Sequence, residues 1–190
     1  MSNTQATLPF AHQPIEGERK EPRLWIKKFG IFSHYKSEKE VRQVSLRRGL
    51  NIIWAKESTE GASGHAAGKS TFCRMLRYLI GDHSYGSDDF RVALLGEFPE
   101  GVIIGEVRIN GEPWVLCRSL RTKSGDWAAE GSTYDQAFDE DVSRSDYKSF
   151  LSALHKSFIT PLGVSKYPGT EKELIWQHFL PWLTRDQDAR

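Results

Sequence analysis

The sequence predicts an α/β chain: a mixed sheet with an antiparallel β subdomain and flanking helices. Three observations point there. Two short, partly alternating apolar runs precede a denser one, a helical apolar stripe opens at Lys69, and Asn110-Gly111 separates two further alternating runs. With 190 residues, 38% hydrophobic and 12% aromatic, the chain has material for about one domain with a real core, which excludes a disordered chain. Its 26 basic and 25 acidic residues leave a net charge of +1, so neither a basic nucleic-acid wrapper nor an acidic tail describes the whole. Cys73 and Cys117 stand far apart without metal-ligand spacing, which points away from a zinc site or a disulfide framework. No apolar run approaches the length of a membrane span and no secretory core follows the polar start. A soluble, cytoplasmic domain with no membrane partner is expected.

Taken in order, residues 1–22 mix Pro, Gly, Gln and charges without periodicity and read as a loosely ordered arm, leaving 23–190 as one lobe. Leu24–Phe29 and Val41–Leu46 suggest antiparallel strands. Leu50–Ala55 has the dense apolar pattern of a strand buried on both faces. Residues 56–68 have loop composition. Phe72, Met75, Leu76, Leu79 and Ile80 then fall on one helical face, with Gly81 as the stop. Val102–Ile109 and Pro113–Leu120 flank Asn110-Gly111, whose preference for positive φ makes 102–120 a hairpin. Residues 121–146, rich in Gly, Ser, Asp and Glu, read as a flexible, solvated excursion. A helix is expected from about Asp146 to Phe158, with Tyr147, Phe150, Leu151, Leu154 and Phe158 on one face. Leu174–Leu183 is apolar but holds Pro181, so it is a kinked helix or a strand entering a short helix.

The stretch from Ser63 to Thr71 carries the chemistry. Small residues let successive backbone N–H groups close around phosphate oxygens, a Lys at the helix start reaches the outer phosphates, and the next hydroxyl can ligate Mg²⁺. Gly64, His65, Ala66, Ala67 and Gly68 would supply the cradle, Lys69 the ammonium, Ser70 the metal ligand and Thr71 the helix's first turn. The helix N-terminus adds partial positive charge at the same point. The pattern departs from G-x-x-x-x-G-K-[ST] at its first position, where Ser63 stands and Gly64 falls one place late. The alternative is a glycine-rich solvent loop in front of an ordinary helix.

With those residues in place, the chain resembles the N-terminal half of an ABC-type ATPase head of the SMC-like group, the RecF and RecN class. The likeness rests on Gly49-Leu50-Asn51-Ile52-Ile53-Trp54 entering the phosphate loop, on Gly68-Lys69-Ser70-Thr71 followed by a helix ending at Gly81, and on the hairpin from Gly105 to Leu120. A narrower resemblance, through Leu180-Pro181-Trp182-Leu183-Thr184-Arg185-Asp186-Gln187-Asp188-Ala189-Arg190, is to the ATPases of Lamassu and ABC three-component anti-phage systems. The resemblance implies a P-loop NTPase lobe, ATP and Mg²⁺ as cofactors, Lys69 as a catalytic residue, and an arginine near the nucleotide, Arg118. It also implies a glutamine sensing Mg²⁺ and the attacking water. Gln177 and Gln187 are both candidates, and spacing does not choose between them. An exposed strand position for Arg118 and exposed helical positions for the glutamines are the plainer readings.

Two required parts are missing from the string. Hydrolysis in such heads needs a carboxylate pair ending an apolar strand and a Ser-Gly-Gly signature; Ala137-Phe138-Asp139-Glu140 is the only near match and reads as a solvated acidic loop. No heptad repeat marks a coiled coil, toward which residues 171–190 would lead. The expectation is therefore an ATP-binding lobe that turns over only with a second ATPase lobe or head dimer, with effector subunits and DNA as partners of the assembly. A small-molecule P-loop kinase or phosphotransferase and a non-catalytic interaction module are the alternatives.

Overall fold

The computed structural model describes residues 22–36, 40–52, 69–121, 125–167 and 169–184. In chain order the elements are β1 (Leu24–Phe32), β2 (Glu40–Ser45), α1 (Lys69–Leu79), α2 (Asp88–Glu97), β3 (Val102–Ile109), β4 (Glu112–Ser119), β5 (Trp127–Glu130), β6 (Ser145–Asp146), α3 (Lys148–Leu154) and α4 (Leu180–Thr184). The strands form a six-stranded sheet in the order β2-β1-β3-β4-β5-β6, antiparallel at every pairing. The chain is thus mixed α/β, but its described sheet is antiparallel rather than mixed.

β3 and β4 are the centre. Val102, Ile103, Ile104, Val107 and Ile109 are β-branched and buried, which suits a strand covered on both faces. Asn110 and Gly111 take φ of 52° and 96°, the left-handed pair that closes a two-residue hairpin whose twist matches its strands. One face carries Phe29, Ile103, Val107, Trp114 and Leu116, packed against Phe72, Met75 and Leu79 of α1 and Phe150 and Leu154 of α3. The other carries Phe32, Ile104, Val115 and Cys117 beneath a thinner cover from Tyr134 and Ala137. At Gly105 a Cβ would lie 2.3 Å from Leu79 Cδ2, so α1 rests directly on bare backbone.

Three expectations change. The segment Leu50–Ala55 is not a buried strand where it is described: residues 50–52 pair with no strand, and Leu50 and Ile52 are 73% and 74% exposed. The physical reason is local. The Asn51 side chain donates to the carbonyls of Arg47 (2.7 Å) and Gly49 (3.1 Å) and accepts from the Arg47 amide (2.9 Å), holding the backbone in a turn in place of a ladder. Residues 53–55 and the arm 1–21 lie outside the described residues.

The excursion 121–146 is in fact built into the sheet. It contributes β5, β6 and a 3₁₀ turn (Tyr134–Gln136), and buries Ala128, Ala129, Tyr134 and Ala137. Its polar composition conceals four-residue and two-residue strands that only pairing with β4 makes stable. Within it, Asp139 and Glu140 are exposed, as a solvated acidic loop should be.

α2 is the third change, with no counterpart in the sequence-based expectations. Ser87 caps it by accepting from the Phe90 amide, and Asp88 and Asp89 favour its first turn electrostatically. The helix beginning near Asp146 is present as α3, continued by a π-type turn over His155–Ile159. Pro181 lies in the first turn of α4, where its missing N–H costs nothing. Among the described residues no helix is long and apolar enough to cross a membrane.

Candidate functional site

The site is best described through the two ends of α1. Lys69 is the first residue of the helix, so Gly68-Lys69-Ser70-Thr71 stands at a helix N-terminus. No acidic residue occupies the first turn. Ser70 is exposed and Thr71 half-buried. An anion arriving here meets no like charge from the helix's first turn, whose amides have no intrahelical acceptor. Ser63, Gly64, His65, Ala66, Ala67 and Gly68 lie outside the described residues, as does Gln187.

The C-terminal end is fixed by side chains from three distant parts of the chain. Gly81, at φ 121°, sits just past the helix; its amide bonds the Tyr78 carbonyl (3.1 Å) and the Asp82 amide bonds that of Arg77 (3.0 Å), a Schellman-type close. Arg118 Nη1 then donates to the carbonyls of Tyr78 and Asp82, the latter at 2.9 Å. The Tyr147 hydroxyl donates to the Leu79 carbonyl at 2.7 Å. Trp176 Nε1 donates to the Ile80 carbonyl at 2.7 Å. Carbonyls that a helix end leaves without partners are therefore all answered.

Arg118 is the centre of this clamp. It is 3% exposed, and its Nε donates to Asp126 Oδ2 at 3.1 Å while Asp126 Oδ1 accepts from the Ser119 amide at 2.8 Å. The guanidinium lies 3.6 Å from the centre of the Tyr78 ring and 4.6 Å from that of Tyr147. Burial pushes the Tyr78 hydroxyl up to about 12, with the Arg118 charge pulling the other way. Burial raises Tyr147 as well, again against the pull of Arg118.

This placement puts Arg118 against the last turn of α1. Tyr78 is roughly 13 Å along the helix axis from Lys69 at ~1.5 Å per residue, so Arg118 and Lys69 stand at opposite ends of α1. Gln177 is half-buried on the 3₁₀ turn Trp176–His178 and lines, with Arg118, Gly81, His83 and Lys148, a cleft of about 420 Å³ at that same far end. The structure thus brings Arg118 and Gln177 together, and separates both from Lys69. Sequence reasoning missed Tyr147 and Trp176 as partners of the end of α1 and Asp126 as the partner of Arg118; nothing in their local spacing marks them.

The chain matches no protein-family model, no curated protein and no solved structure.

Proposed function

We propose that this chain is the ATP–Mg²⁺-binding N-terminal lobe of an SMC-like ATPase that acts on DNA, completed for hydrolysis by a second lobe and coupled to effector subunits. The observation that carries the reading is that α1 opens at Lys69 directly behind the small-residue stretch, with no acidic residue in its first turn. In this reading the backbone of 63–68 cradles the polyphosphate, the Lys69 ammonium meets its outer charge, and the exposed Ser70 hydroxyl completes the Mg²⁺ shell. ATP supplies the group that is transferred to water.

A fluorescent ATP analogue titrated with and without Mg²⁺ tests it. Binding should strengthen with Mg²⁺, and Lys69→Ala should weaken it by roughly 10- to 150-fold, the loss of a charge-assisted contact worth about 1.5–3 kcal/mol. Absence of binding, or binding indifferent to Lys69→Ala, overturns the proposal. Steady-state ATP turnover by the chain alone, abolished by Lys69→Ala, overturns the need for a second lobe.

A further inference from the structure

On the sheet face opposite α1 lies a second cleft, of about 460 Å³, that the nucleotide reading does not use. Its floor is Val102 and Cys117 and its walls are Tyr35, Trp127, Arg121 and Arg144. The rings of Tyr35 and Trp127 meet edge to face at 6.2 Å. The Arg144 guanidinium lies 5.0 Å from the centre of the Trp127 ring and 5.7 Å from that of Tyr35. Arg144 Nη2 donates to the carbonyls of Asp139 (2.7 Å) and Ala137 (3.4 Å), which holds the exposed guanidinium as a shelf over the aromatic wall. No carboxylate among the described residues forms an ion pair with Arg144 or Arg121. One acid, Glu100, stands on the rim.

An aromatic corner capped by the Arg144 guanidinium, with Arg121 beside it and neither arginine paired with a carboxylate among the described residues, matches a base next to a phosphate. Arg121 also lines an adjoining hollow with Arg91, whose guanidinium pairs with the exposed Asp88 at 3.3 Å. Arg121 therefore stands between two hollows that each hold a further arginine, so phosphates on either side of one base find a cation, as a strand needs and a lone nucleotide does not. Duplex DNA keeps its bases stacked inside and has no ring to offer the wall.

We propose that the cleft between Trp127 and Arg121 binds single-stranded nucleic acid, one base against Tyr35, Trp127 and Arg144 and its phosphates on Arg121 and Arg91. The proposal does not depend on what the phosphate loop binds.

The test is fluorescence anisotropy of a labelled oligothymidylate on the purified chain across a salt series. Binding should weaken steeply with salt. Arg121→Glu, at an exposed position, should lower affinity at least about tenfold and flatten the salt slope by about 1, while ATP-analogue binding and the melting temperature stay unchanged. Trp127→Phe should retain binding, and Trp127→Leu should lose at least about fivefold. The proposal is overturned by no binding, by undiminished binding in Arg121→Glu, or by duplex DNA competing as well as the single strand. Thymidine monophosphate displacing the oligonucleotide at equal concentration would assign the cleft to a free nucleotide and overturn the strand.

Discussion

The two ends of α1 are held by opposite means. Its first turn is local: one contiguous stretch of sequence supplies the small residues, the Lys and the hydroxyls, and the exposed Ser70 faces solvent. Its last turn is assembled from Arg118 on β4, Tyr147 before α3 and Trp176 near the end of the described chain. The difference teaches that one helix can take its last turn from distant segments while its first turn follows from neighbouring positions alone. An anchored C-terminus fixes the direction in which the N-terminal amides point, while leaving them without intrahelical partners.

Variants at the two ends should therefore fail in different ways. The largest effect is expected from Arg118→Leu, which takes the guanidinium from the buried Asp126 carboxylate and one donor from each of the Tyr78 and Asp82 carbonyls. It should cost about 3–5 kcal/mol in urea denaturation, whereas Lys69→Ala should leave the same midpoint within about 0.5 kcal/mol and lose only nucleotide. Equal stability losses at both ends would break the comparison.

Alkaline pH comes next, acting on Tyr78 at the anchored end and on Cys117 on the opposite face of the sheet. The Tyr78 hydroxyl is raised by burial to about 12 and the Cys117 thiol, likewise by burial, to about 12. Both are neutral when protonated, so the unfolded chain releases these protons first, near ordinary values of about 10 and 8.5–9. Stability is then complete below about pH 8.5 and declines as pH rises toward 12, which equilibrium unfolding monitored against tyrosinate absorbance would reveal. A midpoint constant from pH 8 to 11 would remove this account.

A smaller effect is expected where the last residue of the helix rests on the sheet. Gly105→Ala drives a methyl into Leu79 and should cost about 1–3 kcal/mol by thermal unfolding. If α1 is carried as a rigid unit, the variant should also weaken ATP-analogue binding; intact binding at reduced stability would show that the N-terminal end is independent of the sheet contact. Smallest is Trp176→Phe, which keeps the packing but removes the donor to the Ile80 carbonyl, for about 1 kcal/mol.

Much of the scaffold was legible from local pattern. The hairpin at Asn110-Gly111, the start of α1 at Lys69, its stop at Gly81 and the buried face of α3 follow from turn chemistry and helical periodicity acting over a few residues. What stayed hidden has physical causes as particular as these successes. Leu50 and Ile52 have the composition of a core strand, yet the Asn51 side chain captures their backbone in a turn. Trp127–Glu130 is too short to show alternation, and its polar surroundings mask it until β4 pairs with it. Ser87 and its two aspartates mark the start of α2, but the helix they cap buries no residue, so no apolar stripe follows the capping signal.

For the candidate site, the division is sharper. By itself the sequence determined that a Lys and two hydroxyls would open an amphipathic helix behind a run of small residues, because helix starts and phosphate cradles are written in neighbouring positions. Only the tertiary structure decided that Arg118 serves the opposite end of that helix, and that Tyr35, Trp127, Arg121 and Arg144 share one cleft. A side chain's partners come from where the sheet register and the packing of distant segments deliver them, and no spacing along the chain encodes that meeting.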